Sequence, residues 1–507
     1  MTTIADCLTH RARIHPEMLA IEDDHHQITY AEYDLFTNQL AHYLKDLGVQ
    51  HGDRVAVLSR NHSTMLLVMF ACAKIGAIMV PLNSRLAANE LSWIVQNCEA
   101  KVLFYEDLFE CLVTNELQTF LQHLIRFSAA RTVQSFLHTF SEQPLETKTS
   151  EEDPVIMIYT SGTTGKPKGV VIAHENLTFV CQNFAVELDV RQYDRFLLPT
   201  PLFHISGVMF SLLSIMRGMT MILLPTFHPV DIWNFIDNKR INVMMAVPTM
   251  LKIMLQTLKG REHIIESLRN IYCGGAQFPA KAIQEYADFG YSIHQVYALT
   301  ETSCYLTHWW DHLGMEHSHS LGKPSYLVDV EIRHPDTGEV LPTGEPGEIV
   351  TRGKHIFQGY WNNIEETDKV LKDGWFFTRD VGYLDEHGFL HILDRIKDMI
   401  ACGGEKVYPA QVEAVVQELD QVLEVAVIGV KDPIWVEIPR AYVVLKQDQS
   451  ITEEEILEYV HSKISSYKLQ QVHFIDELPK NGMGKVVKFK LKEQAHQELA
   501  ALNEASI

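Results

Sequence analysis

The chain has 507 residues, of which 43 are Lys or Arg and 65 are Asp or Glu, for a formal net charge of −22. That balance argues against DNA or RNA as the main partner, because phosphate polymers require a basic footprint, whereas a small phosphate ligand requires only a local basic pocket. At about 150 residues per domain the length predicts roughly three folding units, and 46% hydrophobic against 21% charged residues is a globular rather than a disordered balance.

No run reaches the ~18 uninterrupted apolar residues of a membrane span; the closest, residues 205–224, contains Arg217. Residues 1–6 carry no basic stretch leading into an apolar block, so no signal peptide is read. The 8 cysteines include no CxxC pair, which in a chain this long points to reduced thiols and a cytoplasmic location rather than to disulfides or zinc.

In chain order, residues 30–47 repeat apolar side chains at helical spacing, 53–59 (DRVAVLS) form a short β run, 64–75 an apolar helix and 77–82 another strand. This rhythm predicts a parallel sheet with helices on its faces. Further strands are predicted at 102–105, 155–159, 242–247, 271–273 and 295–298, and their apolar composition suits burial on both sides. Residues 112–150 read as a helix and a polar connector. From 328 to 353, turn signals (PDTG, PTGEPG) separate short β runs, which predicts a hairpin-rich β subdomain over about 325–393. Beyond it, apolar runs at 425–430, 441–445 and 472–475 alternate with helical patterns such as 453–463. The fold class is α/β: a large N-terminal domain, 1–393, of parallel or mixed sheets packed with helices and including the β-rich subdomain, then a small α+β C-terminal domain, 394–507.

The most informative segment is YTSGTTGKPKGV at 159–170, directly after a predicted apolar strand. Gly162, Gly165 and Gly169 let the backbone turn its N–H groups toward one point, and convergent N–H groups form an anion-binding nest. Thr160, Ser161, Thr163 and Thr164 add hydroxyl donors, and Lys166 and Lys168 add charge. The composition suits a nucleoside triphosphate. The spacing is not a Walker A loop, because Pro167 stands five residues after Gly162 where that motif requires glycine. Neither G-x-G-x-x-G nor G-x-S-x-G accompanies it.

The loop resembles the signature of the adenylate-forming superfamily: acyl- and aryl-CoA synthetases, peptide-synthetase adenylation domains and luciferases. The likeness continues in order through PLFHISG (201–207), YCGGAQFP (272–279), VYALTE (296–301), GEIVTRG (347–353), GYWNN (359–363), the long segment 374–413 and LPKNGMGK (478–485), and is nearest to a fatty-acyl-CoA synthetase. It implies attack of a carboxylate on the α-phosphorus of ATP, giving an acyl-adenylate and pyrophosphate, and then displacement of AMP by a thiol, usually that of coenzyme A. It also implies a mobile C-terminal domain with a hinge at Asp394.

Residue by residue, the resemblance implies that Thr160, Ser161, Gly162, Thr163, Thr164, Gly165, Lys166 and Lys168 embrace the phosphates. Glu301, with Thr300 beside it, matches the position that holds Mg²⁺ against them, a use that explains a carboxylate next to a triphosphate. Tyr297 would stack on adenine, with Gly274, Gly275 and Ala276 passing close to it; a core role for Tyr297 is compatible with this. Asp380 matches the acceptor of both ribose hydroxyls, with Arg395 as a donor nearby, and a turn cap is its structural alternative. Lys485 matches the catalytic lysine that neutralises charge developing between carboxylate and α-phosphate. Gly403 and Gly404 match a pair brought against the pantetheine of coenzyme A, or mark an ordinary tight turn. His204 resembles the gate of acyl-CoA synthetases; its alternative is a satisfied core histidine.

The departures bear on specificity. The segment PLFHISG holds His204 and no acid, so a substrate ammonium would lack a partner and amino-acid activation is disfavoured. Ala298 follows Tyr297 where the family usually has glycine, and Trp435, Val436 and Glu437 stand where W-G-E is usual. His204, Val208, Gln277 and Ser303 are the expected acyl-pocket residues, with no basic anchor among them, which suits an apolar acid. The expected function is an AMP-forming acyl-CoA synthetase using ATP, Mg²⁺ and coenzyme A. An aryl-CoA ligase, an acyl-AMP ligase loading a carrier protein, and a non-catalytic nucleotide-binding relative are the alternatives. The substrate acid and the oligomeric state, homodimer included, are left open by the sequence.

Overall fold

A computed structural model describes residues 2–128, 132, 134–145, 149–160, 167–258, 264–395, 398–402, 405–432, 435–480 and 486–505. The chain divides into two compact units, Met1–Val330 with Thr351–Phe376, and Glu331–Val350 with Phe377–Ile507. Each has its own buried apolar clusters, the requirement for an independent core.

The first unit holds two sheets. In the seven-stranded sheet the order is Gly359–Tyr360, Lys168–Ala173, Pro154–Thr160, Ile78–Leu82, Arg54–Leu58, Ala100–Glu106 and His123–Phe127. Its strands from Pro154–Thr160 to His123–Phe127 are parallel. The helix Ser63–Ile75, connecting two of them, is buried on every side, as the mostly apolar sequence of a crossover beneath other layers requires. The nine-stranded sheet has parallel strands at its centre, among them Asn270–Gly274 beside Ser292–Tyr297, and ends on one side with antiparallel Thr307–Trp309 and, at the edge, Lys323–Pro324. The predicted helix at 30–47 is found as Tyr30–Asp46, begun by a capping box between Thr29 and Glu32.

Two stretches differ from the sequence reading. Lys168–Ala173 is a strand antiparallel to Pro154–Thr160, so the described residues on either side of the phosphate motif pair with each other. Within 112–150 lies the strand His123–Phe127, parallel to Ala100–Glu106 at the sheet edge. Only the alternate residues Ile125 and Phe127 of that strand are buried, the pattern of a half-exposed strand.

In the second unit, the strands Trp375–Leu384 (from its residue 377 onward) and Leu390–Arg395 form an antiparallel hairpin. Further on, Val422–Asp432 and Val436–Leu445 pair antiparallel, and Gln471–Phe474 adds in parallel. The helix Glu453–Lys463 has the predicted bounds. All 8 cysteines are free, and no helix of the described residues is long and apolar enough to cross a membrane.

Candidate active site

The antiparallel strands Pro154–Thr160 and Lys168–Ala173 pair Thr160 with Lys168 and Tyr159 with Gly169, so the two ends of the predicted phosphate loop stand side by side. Ser161, Gly162, Thr163, Thr164, Gly165 and Lys166 lie outside the described residues. Lys168 is 9% exposed and its ammonium pairs with the Glu366 carboxylate, which also binds Lys369 at 2.6 Å. Lys168 Nζ lies 5.1 Å from the centroid of the Tyr360 ring. The charge of Lys168 is thus engaged by an acid of the helix Ile364–Val370, whereas its place in the motif implies a phosphate contact.

Strand ends in the nine-stranded sheet supply the next group. Asn270–Gly274 ends at Gly274; Gly275 follows with φ +91°, in the left-handed region that favours glycine. Gly275, Ala276 and Gln277 are exposed, and Gln277 Nε2 donates to His319 O at 2.6 Å. The neighbouring strand ends at the buried Tyr297, and the chain turns at once into a 3-10 turn, Thr300–Thr302. This turn presents Thr300 and Glu301 just beyond the carboxyl end of a parallel strand, the usual place for ligand-binding groups in an open α/β sheet. Leu306 N donating to Tyr297 O and Cys304 N to Leu299 O close the loop. Its sharpness forces Ser303 and Cys304 to φ of +52° and +92°, strain of the kind that collects at binding sites. Ser303 is fully buried and its Oγ has no partner among the described residues.

Glu301 is fastened twice to the stretch containing the GYWNN motif. Its carbonyl accepts from Phe357 N at 2.9 Å, and its Oε1 accepts from the Tyr360 hydroxyl at 3.0 Å. One tyrosine therefore touches both Glu301 and Lys168. Sequence reasoning gave Tyr360 and Glu366 no role; the only available signal was that GYWNN had a place in the motif order.

His204 precedes the helix Ile205–Arg217 and packs on Phe203, with ring centroids 4.5 Å apart. Its Nε2 is buried without a partner among the described residues. Burial, assisted by the Arg85 charge, pulls its pKa down to about 4, so the imidazole is neutral near pH 7. The loop before it is tight: a Cβ on Gly207 would come within 2.6 Å of Leu202 Cα. Val208, on the same helix, is buried in the apolar core.

The second unit carries the remaining candidates. Asp380 is 2% exposed and pairs with Arg395 Nε at 3.0 Å, the two residues facing each other across the hairpin. Asp394 Oδ2 accepts from Ala410 N at 2.9 Å and lies 3.9 Å from Lys488 Nζ. Gly403, Gly404 and Lys485 lie outside the described residues. The stem of the segment bearing Lys485 is closed by pairing of Lys480 with Val486 and by Val487 N donating to Pro479 O at 2.8 Å.

Among the described residues no three His, Cys, Asp or Glu side chains cluster as a metal cage. A lone carboxylate such as Glu301 fits Mg²⁺, which keeps its waters and is bound through one or two carboxylates plus substrate phosphates.

The pattern described as "AMP-binding enzyme" matches residues 8–361 and that of its C-terminal domain matches 411–485. A feruloyl-CoA synthase of an Amycolatopsis species is 36% identical over 492 residues, 96% of this chain and 97% of that protein. A long-chain-fatty-acid–CoA ligase of Mycobacterium tuberculosis is 35% identical over 500 residues, 97% of this chain and 99% of that one. The O-succinylbenzoate coenzyme A synthetase of Bacillus subtilis, solved with ATP and a magnesium ion, superposes with a TM-score of 0.87 at 31% identity, covering 96% of this chain and 99% of that chain.

Proposed function

The chain belongs to the AMP-binding enzyme family, and from that premise we propose that it joins an apolar carboxylic acid to coenzyme A at the expense of ATP, with Mg²⁺. It is an acid–thiol ligase. In the first step a carboxylate oxygen bonds to the α-phosphorus of ATP as the bond to pyrophosphate breaks. In the second the thiol sulfur bonds to the acyl carbon, AMP leaves with the acyl C–O bond's electrons, and the thiol proton passes to solvent.

The observation that carries the reading is the Thr300–Thr302 turn. It sets Glu301 at the end of the strand bearing Tyr297 and is tied through Tyr360 to the strand leaving the phosphate loop. In this reading residues 161–166 enclose the phosphates, Tyr297 stacks on adenine beside residues 274–276, and Asp380 accepts the ribose hydroxyls with Arg395 as its neighbour. Glu301, with Thr300, holds Mg²⁺, whose charge would offset that of the phosphates. Lys485 neutralises charge developing at the α-phosphate, residues 403 and 404 border the pantetheine, and Asp394 is the hinge between 1–393 and 394–507.

An apolar acid is favoured because His204 is neutral and so supplies no cation for a second carboxylate. The helix behind it, with Val208 and Met209, is buried and apolar. Feruloyl and long-chain acyl relatives at nearly equal identity keep aryl and aliphatic acids both in the class.

The test is release of AMP and pyrophosphate with ATP, Mg²⁺ and coenzyme A across fatty and aryl acids. Turnover with at least one apolar acid is expected; none with any acid would refute the reading. Lys485→Ala should slow pyrophosphate release about 10²–10³-fold, the usual cost of losing one group that stabilises developing charge, while sparing thioester formation from a preformed acyl-adenylate. Equal loss in both steps would remove the role given to Lys485.

A further inference from the structure

The GYWNN segment is bound to both halves of the phosphate site. Gln358 N donates to Val171 O at 2.9 Å and Trp361 N to Gly169 O at 2.7 Å, with Gly359 and Tyr360 paired to Val171 and Val170. On the other side Phe357 N and the Tyr360 hydroxyl both bond Glu301. Tyr360 N donates to Thr367 Oγ1 at 2.9 Å, and its ring packs edge-on to the buried Phe357 at 4.9 Å. The ring is thus held through its hydroxyl and by Phe357, with its face toward the Lys168 ammonium.

We propose that Tyr360 is a positioning residue for the metal site: its hydroxyl fixes the rotation of the Glu301 carboxylate, and its ring seats the lysine at the end of the phosphate loop. The proposal rests on the reading of Glu301 as the Mg²⁺ ligand. A phenol is suited to the task because it is a neutral donor. It orients the carboxylate without cancelling the negative charge that attracts the cation, as an ammonium in its place would. Lys168 does not compete for Glu301, since its charge is taken by Glu366. The lysine thereby acts as an anchor for the returning strand, and the loop end and the metal carboxylate move as one piece.

The decisive measurement is calorimetric titration of Mg²⁺ into the full chain loaded with a non-hydrolysable ATP analogue. Tyr360→Phe keeps the ring and its packing and removes only the hydroxyl. It should weaken Mg²⁺ binding about tenfold, the lower end of what loss of a partner behind a metal ligand costs, with the melting temperature unchanged. Tyr360→Leu also removes the seat of Lys168 and should raise the KM for ATP in addition. Glu301→Gln separates the two levels of the argument. If it weakens Mg²⁺ binding and Tyr360→Phe does not, the positioning role is overturned and the Glu301 reading stands. If Glu301→Gln itself leaves Mg²⁺ binding unchanged, the Glu301 reading falls first.

Discussion

The two units treat their buried polar groups differently. Both contain part-buried ion pairs, such as Lys74 with Asp34 in the first and Lys488 with Glu413 in the second. The first unit also buries imidazoles against neutral partners. His174 Nδ1 accepts from Ile4 N, His355 meets the Thr351 hydroxyl, and His294 stacks on His308. Burial drives His174, His204, His294 and His355 each down to about 4, and it also pulls His308 well below the ordinary imidazole value. In the second unit the buried His391 instead lies 2.8 Å from the Asp385 carboxylate. Burial thus sets these imidazoles of the first unit to resist protonation, whereas His391 is placed against a carboxylate.

Acid should therefore separate the units, and this is the largest effect expected. Unfolded histidines titrate near 6.5 and these four near 4 in the folded state. Between those values the unfolded chain binds protons that the folded one refuses. Their stabilisation is complete above about pH 6.5 and is lost as pH falls toward 4, on the order of 3 kcal/mol for each by that point. Against a total stability of ~5–15 kcal/mol, four such losses should unfold the first unit first. Amide hydrogen exchange between pH 6.5 and 4 should show its protection collapsing while residues 400–475 stay protected. Simultaneous loss in both would break the comparison.

The second unit should be more sensitive to loss of one charge. Lys488 opens the helix Lys488–Ala505 with its Nζ 2.9 Å from Glu413 Oε1, and that oxygen also accepts from Val427 N at 2.7 Å. Burial pushes the Glu413 carboxyl up, with the Lys488 ammonium opposing it. Burial pulls Lys488 down, but Glu413 and Asp394 outweigh it and the net direction is up. Lys488→Met leaves the acids uncompensated and should cost about 3 kcal/mol, the lower end for breaking a buried pair, because both partners keep some contact with water. Adding Glu413→Gln should recover much of it. Urea unfolding of the two variants checks this; a loss below about 1 kcal/mol would mean the cluster behaves as a surface pair.

The reach of sequence reasoning follows the same division between local and distant. Strands such as Arg54–Leu58 and Ile78–Leu82 and the helix Glu453–Lys463 lie close to where periodicity puts them, because each is decided by neighbours in sequence. The pairing of Lys168 with Glu366 joins residues 198 apart, and Tyr360 reaches Glu301 across 59. Both charges looked like candidates for solvent or ligand, and only the tertiary fold shows one of them already matched. The return strand Lys168–Ala173 was masked in the same way: its residues read as the tail of a phosphate motif, and its strand character appears only once its antiparallel partner is known.

The smallest effect gives the cleanest check on whether the units are separate. The helices Tyr30–Asp46 and Glu453–Lys463, one in each unit, begin with the same capping box. Thr29 N donates to Glu32 Oε2 at 2.8 Å and Glu32 N to Thr29 Oγ1 at 3.3 Å. Thr452 and Glu455 repeat this at 2.8 and 3.2 Å. Thr29→Ala and Thr452→Ala should each cost about 1 kcal/mol. With a core of its own in each unit, each loss should appear as faster exchange only among amides of the unit that carries the substitution. If Thr452→Ala speeds exchange equally in the first unit, the chain opens as a single cooperative body, and the acid contrast between the units fails with it. Because the two boxes are chemically alike, any difference in how far the loss spreads reports on the units and not on the caps.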